Sequence, residues 1–326
     1  MLRNFEKNDP LSPLKRFLNL AEYILKRLIL APFVLLILVT LSFFLIRLAP
    51  GDPFSSEKEI SPEVRAAFEA KYNLDKPIVA QYFHFLKMTA QGDLGLSMRN
   101  KSKTVNDIIG EALPKSLYLG ALALTLALAI GVTAGVIAAV KQNSSVDFTC
   151  MGLAVLGISL PTFLIGPLLQ LLFAVNLKIL PISDYAGGQW NHMVLPAFTL
   201  SLPFAARIAR LMRAGMLDAL GQEYIRTAKA KGLSNSKVIL KHALRGGVQP
   251  VISFIGPAIA AITTGSLVVE KIFNLPGLGR EFVESAINRD YSLVLGTVIL
   301  YGSFIVICNI LTDIVQGLID PRVRYN

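Results

Sequence analysis

Six stretches without Asp, Glu, Lys or Arg constrain this chain more than anything else in it: residues 28–46 (19 residues), 116–140 (25), 148–177 (30), 185–206 (22), 246–269 (24) and 291–312 (22). A helix rising about 1.5 Å per residue needs about 20 apolar residues to cross a hydrocarbon core of about 30 Å. No water reaches backbone N–H and C=O groups inside lipid, so each stretch is expected to pair them internally as a helix. A soluble fold would have to bury six such helices in one core. The expectation is an all-α membrane protein with six transmembrane helices, at 28–48 and about 116–140, 149–176, 193–213, 247–269 and 291–319. A polar arm, 1–27, precedes them and a short tail, 320–326, follows.

The net charge of +10 sorts by side. With a cytoplasmic N-terminus, residues 1–27, 141–147, 207–245 and 320–326 all face inward. They carry 18 Lys and Arg against 7 acids, while the opposite face carries 13 against 14; Arg47 and Asp313 lie in or at the ends of spans and cancel. This is the positive-inside asymmetry and predicts both termini in the cytoplasm. The basic excess therefore reports topology, and no nucleic-acid partner is expected. The arm is not read as a cleaved signal peptide, because the apolar run behind it is long enough to span. Its Leu14, Phe17, Leu18, Ala21, Leu25 and Leu28 fall at helical spacing, which leaves open an interfacial helix or an unstructured arm.

Between the first two spans, residues 49–113 read as a helical cap. PGDPF at 50–54 is a turn-rich exit. Ser61 is placed to cap a helix with Pro62 at its first position and Val64, Phe68 and Tyr72 along one face. Pro77 opens a second helix carrying Ile78, Tyr82, Phe85 and Leu86, and Gly92 stops it. A third short helix is expected over 104–113. Within the spans, Gly131 and Gly135 have the spacing that lets helices approach closely. Pro161, Pro167, Pro196, Pro203 and Pro257 each remove a backbone hydrogen bond and predict kinks.

Catalytic signatures are missing. There is no G-x-x-x-x-G-K-[ST] phosphate cradle, and the GLG at 277–279 continues as Arg-Glu-Phe instead of completing a dinucleotide fingerprint. His84, His192 and His242 are expected on different sides, which disfavours a zinc site. Cys150 and Cys308 sit in apolar windows and read as small hydrophobes. Ser159 with His192 as an intramembrane hydrolase pair is the weaker reading, since a helix satisfies a serine through its own backbone. Asp313, one turn after Asn309, would carry a proton-coupled secondary transporter. A structural pair with Arg207, Arg210 or Arg213 is the preferred alternative.

One basic segment remains, EYIRTAKAKGLSNSKVILKHALR at 223–245. Span four has no turn signal at its end, so its helix is expected to run on to about 231. Gly232 followed by Leu233 fits a glycine cap with its hydrophobic contact, and Ser234 can cap a second helix. Ala228 and Ala230 leave a low surface at the bend. Two capped helices are more than topology requires, and the form suits a docking knob.

RTAKAKGL at 226–233, with HALR at 242–245, resembles the peptide-importer variant of the "EAA" loop of ABC importer permeases. The general Glu-Ala-Ala is Arg226-Thr227-Ala228 here, and the loop's glycine is kept at Gly232. RLAPGDPF, YNLDKPIVAQY, GDLGLS, NLPGLGREFVESAINRDYSLVLG and DPRVRY extend the resemblance over the chain from about residue 22, to the B-type membrane subunit of oligopeptide ABC importers. PEVRAAFEAKYNL is similar to the oligopeptide branch more than to the dipeptide or nickel branches. The resemblance implies the type I ABC importer permease fold and half of a translocation pore, in the bacterial inner membrane. It further implies that a second, C-type permease, two cytoplasmic ABC ATPases that use the ATP, and an extracytoplasmic peptide-binding protein act with it. No cofactor is expected on this chain. Glu223, Arg226, Thr227, Ala228, Ala230, Lys231, Gly232 and Leu233 would dock the ATPase; no substrate-binding residue is singled out.

Overall fold

A computed structural model describes residues 13–48, 62–100, 102–182, 185 and 189–319. The exit turn at 50–54, the Ser61 cap, the first twelve residues of the arm and the tail lie outside the described residues, as do the side chains of Val64 and Phe68.

The first span and residues 13–27 of the arm before it form one helix, α1 (Pro13–Leu48), of 36 residues and so about 54 Å. Two short helices follow, α2 (Pro62–Lys71) and α3 (Ile78–Ala90). Pro77 occupies the N-cap of α3, and Gly92, at φ 80°, takes the left-handed conformation just beyond its end. The third short helix of the cap is not separate. It is the first part of α4 (Val105–Val140), which carries Pro114 without breaking. Thr104 and Asp107 cap α4 reciprocally: the Asp107 N–H donates to Thr104 Oγ1 at 3.1 Å, and the Thr104 N–H donates to Asp107 Oδ2 at 3.1 Å.

The third window is two helices, α5 (Ser145–Ser159) and α6 (Thr162–Leu169), the latter continuing as a π-helical turn over Gln170–Asn176. Their axes bend by 107°. Pro161 has no N–H to donate, and it drives the preceding Leu160 to extended backbone (φ −81°, ψ 125°). Pro167, Pro196, Pro203 and Pro257 all lie inside helices. Helix α7 (Trp190–Leu220) leads into α8 (Glu223–Ala230). Next come α9 (Asn235–Lys237), a π-helical turn over Val238–Ala243 and α10 (Leu244–Gly247). A bend of 52° separates that stretch from α11 (Gln249–Ile272). Helices α12 (Leu278–Ile287) and α13 (Tyr291–Ile319) complete the fold. Among the described residues, four helices are long and apolar enough to cross a membrane singly, and six spans result when each bent pair counts as one.

Side-chain contacts give the direction of every span. An added Cβ on Gly131 would meet Ala205 O, and one on Gly135 would meet Ala209 O, each at 2.6 Å, so α4 and α7 run parallel in close contact. Ser116 reaches Glu270 while Gly120 faces Ile262, so α11 runs against α4. Gly256 abuts Thr312, and Gly302 abuts Leu38 while Arg47 lies over Tyr291, so α13 opposes both α11 and α1. The bent pair rises continuously: Asp147 meets Arg213, Gly157 meets Ala206, and Gly166 meets Thr199 and Phe273. Both described ends of the chain, residues 13 and 319, therefore lie at the end of the bundle that carries α8. Four threonine hydroxyls inside the spans are satisfied locally: Thr125, Thr133, Thr199 and Thr297 donate to carbonyls four residues back at 2.6–2.8 Å.

Candidate functional site

The segment after α7 folds back as an elbow. The predicted run of helix to residue 231 is interrupted: α7 ends at Leu220, and Gly221 and Gln222 turn the chain before α8 begins. Helix α8 is short, and only one of its faces is apolar. Ile225 is 1% exposed and Ala228 5%. Both belong to a core with Met212, Met216 and Ala219 of α7, Val238 and Ala243 of the π-helical turn, and Val251 of α11. Two small-residue contacts tighten this joint. Gly247 lies against Met216, where an added Cβ would stand 2.7 Å from its sulfur, and Gly215 lies against the Gly247 carbonyl.

The turn out of α8 is built as the glycine and leucine predict. Gly232, at φ 75°, donates its N–H to Lys229 O at 2.9 Å, and the Leu233 N–H donates to Ala228 O at 3.3 Å. This is the six-to-one and five-to-two pattern of a Schellman end, which glycine adopts without a Cβ clash. Ser234 sits at the N-cap of α9, but its side chain makes no capping bond; the first bond there is from Val238 N–H to Ser234 O at 3.0 Å.

The other face of α8 is open. Glu223, Arg226, Thr227, Ala230, Lys231 and Gly232 are exposed and Leu233 is partly covered. Tyr224, 46% exposed, and Lys229 join them. Arg226 pairs with Glu223 at 2.9 Å, both largely in solvent, a contact that contributes little to stability. Ala228 is the exception among the singled-out residues. It faces the protein's own core, so it sets the seat of α8 instead of forming its outer surface.

A partly buried ion pair braces the elbow's base. Arg213 Nε and NH2 donate to Asp147 Oδ1 and Oδ2, both at 2.7 Å, and the Asn143 N–H donates to Oδ2 at 3.0 Å. Asp147 is 2% exposed. The fork links the start of α5 to the last third of α7, so tilting α7 tilts α5 with it. Of the three arginines considered for Asp313, Arg213 is thus engaged elsewhere and Arg207 lies over the Phe254 ring. The Asp313 side chain lies outside the described residues. No hydrogen bond joins Ser159 to His192 among the described residues, and none of them forms a His/Cys/Asp/Glu group able to hold a metal.

At the opposite end, two buried carboxylates organise the loops. Glu270, 1% exposed and one residue beyond the fifth charge-free window, accepts from Ser116 Oγ at 2.7 Å, Gly279 N–H at 2.7 Å and Arg280 N–H at 3.2 Å. It thereby caps α12. Added Cβ atoms on Gly277 and Gly279 would collide with the Glu270 carboxylate, so the GLG sequence serves close packing. Burial raises the Glu270 pKa, and the surrounding donors offset part of that rise. Asp290 accepts from Ser97 Oγ, from Arg99 N–H at 3.2 Å and from Leu293 N–H at 3.1 Å, which ties the GDLGLS loop to the start of α13. On α12, burial works to raise the Glu284 pKa, but hydrogen bonds from Lys271 and Arg280 outweigh it and hold the carboxyl below its usual range.

Residues 131–325 match the family described as binding-protein-dependent transport system inner membrane component, and residues 20–120 match the N-terminal component of such membrane proteins. The chain belongs to this family. It is 48% identical over 304 residues, covering 93% of this chain and 99% of the relative, to the oligopeptide transport system permease protein OppB of Haemophilus influenzae. OppB of Escherichia coli K12 matches at the same identity and coverage. The dipeptide transport system permease protein DppB of Bacillus subtilis is 44% identical over 94% of this chain and 98% of its own length. Among solved structures, the inward-facing MetNI methionine ABC transporter aligns with TM-score 0.52 at 15% identity, over 65% of this chain and 96% of that one. The fold is that of an ABC transporter permease, a multi-pass membrane protein built as a transport component.

Proposed function

We propose that the chain is the membrane-spanning permease subunit of an ATP-driven oligopeptide importer, supplying half of the translocation pore. The observation that carries this reading is the elbow: α8 is seated by Ile225 and Ala228 while its polar face stands clear of the bundle. A surface held rigidly from within and open outside is what a mechanical coupling contact requires. The charge asymmetry of the loops supports a cytoplasmic elbow and cytoplasmic termini. There it would meet one of two ABC ATPases, and a C-type permease would complete the pore. An extracytoplasmic peptide-binding protein would deliver substrate at the Glu270 and Asp290 end. ATP would act on this chain only through its different affinities for the two states of the ATPases. The similarity to OppB at 48%, against 44% to DppB, favours oligopeptides over dipeptides; nickel is the remaining alternative within the family.

Reconstitution tests the proposal. Vesicles holding this chain with its second permease and ATPases should accumulate labelled tri- to pentapeptides only when ATP and the binding protein are supplied. Uptake driven by a proton gradient without ATP, and abolished by Asp313→Asn, would replace the reading with proton-coupled transport.

A further inference from the structure

A cavity of about 370 Å³ opens at the end of the bundle opposite the elbow, where the last turn of α1, α2, α3 and the first turn of α13 converge. That size lies within the range of small-molecule sites, about 300–1,000 Å³. Its lining has two characters. Phe85, Met88, Leu96 and Leu295 are apolar; Arg47, Lys71 and His84 supply nitrogen. Asp93 is the one carboxylate among the described lining residues, and its Oδ1 accepts the Gly95 N–H at 2.8 Å.

Arg47 is the informative member. Its Nε donates to Gln81 Oε1 at 3.0 Å and its guanidinium lies 3.6 Å from the centre of the Phe43 ring, so the plane of the group is fixed. Its NH1 nitrogen is buried and has no hydrogen-bond partner among the described residues. A buried, charged donor left unpaired is costly, and a planar guanidinium with a free edge matches an oxyanion. We propose that this cavity binds a ligand that joins an oxyanion, carboxylate or phosphate, to an apolar body, with the Arg47 guanidinium receiving the anion and the Phe85, Met88 and Leu295 wall taking the apolar part. Arg47 is the penultimate residue of α1 and Tyr291 the first of α13, which sets the site at a membrane–water boundary. A free carboxylate entering from water and a phospholipid phosphate entering from the bilayer both meet that description. This inference does not depend on the identity of the transported substrate.

The test uses the purified complex with its partner subunits. One arm titrates octanoate in zwitterionic-lipid nanodiscs and follows thermal unfolding, which a ligand of the folded state raises. The other measures phosphatidylglycerol retained after detergent washing, by native mass spectrometry. Wild type should respond in at least one arm, octanoate alone marking a soluble carboxylate and phosphatidylglycerol alone a lipid phosphate. Arg47→Gln should weaken the response about tenfold or more. Ser292→Phe, which adds bulk to the cavity lining and leaves Arg47 itself unchanged, should weaken it as well and serves if Arg47→Gln misfolds. No response in either arm, or a response unchanged in Ser292→Phe or in folded Arg47→Gln, would overturn the proposal.

Discussion

Gly135→Ala tests the packing on which the elbow's mechanics rest. The added methyl would sit 2.6 Å from both Ala209 O and Met212 Cβ and 3.1 Å from Arg213 N. Ordinary contact begins at 3.4 Å, so the shortfall is 3.4 − 2.6 = 0.8 Å. Two of these atoms are α7 backbone, which no rotamer change relieves; α7 itself must move, at Arg213, the residue that braces Asp147. Overpacking of this kind costs about 1–3 kcal/mol. Replacing glycine in a helix also gains about 1 kcal/mol of propensity, which would obscure a single measurement. Gly110 lies in the same helix and an added Cβ there meets nothing within 4 Å, so Gly110→Ala collects the propensity gain alone. The difference between the two variants isolates the overlap. Unfolding of the purified protein in detergent should place Gly135→Ala below Gly110→Ala by about 1–3 kcal/mol. Equal stability would show that α4 and α7 are not in the close contact described.

Two further predictions follow from the buried carboxyls. Arg213→Gln should lower thermal stability and uptake by stranding the Asp147 carboxylate, and adding Asp147→Asn should restore part of the stability in thermal unfolding; purely additive losses would deny the pair. Burial raises the folded pKa of Glu270 above its ordinary 4.5, so its stabilising contribution is full below about pH 4.5 and is lost as pH rises through the raised value. Glu270→Gln cannot ionise. It loses an acceptor at the start of α12 and should be less stable than wild type at low pH, by a margin that narrows as pH rises; a constant margin in a pH series of unfolding measurements would contradict this.

Much of this architecture was legible because membrane burial leaves a coarse signature. A charge-free window is a direct record of the cost of ionised groups in hydrocarbon, and all six windows became helical spans or bent pairs. The Gly131–Gly135 spacing and the Gly232-Leu233 end were legible for a similar reason: each meets a local steric demand that few residues satisfy. Other features depend on tertiary context. Six prolines fall in the apolar windows after the second; Pro161 ends a helix and Pro250 lies in the first turn of α11, but the other four sit inside helices, because whether neighbours re-satisfy a lost bond is not written locally. Alternating Ala and Lys in α8 leave its buried face ambiguous, and Ile225 was the one large apolar side chain that could have identified it. The Asp147–Arg213 fork spans 66 positions. Asp147 abuts a charge-free window and Arg213 lies seven residues beyond another, but nothing in the spacing pairs them or excludes Asp313 as the partner. Glu270 offered a better clue, an acid closing an apolar window seven residues before GLG.

Force entering through the outer face of α8 is the central claim, and site-directed photo-crosslinking tests it most directly. A benzophenone side chain replacing Tyr224 or Lys229 in the assembled complex should form an adduct with the ATPase subunit, with a yield that changes when ATP is added. The same probe replacing Lys87 on α3, at the other end of the bundle, should form none. Absence of an ATPase adduct from both elbow positions, or an equal yield from Lys87, would contradict the account.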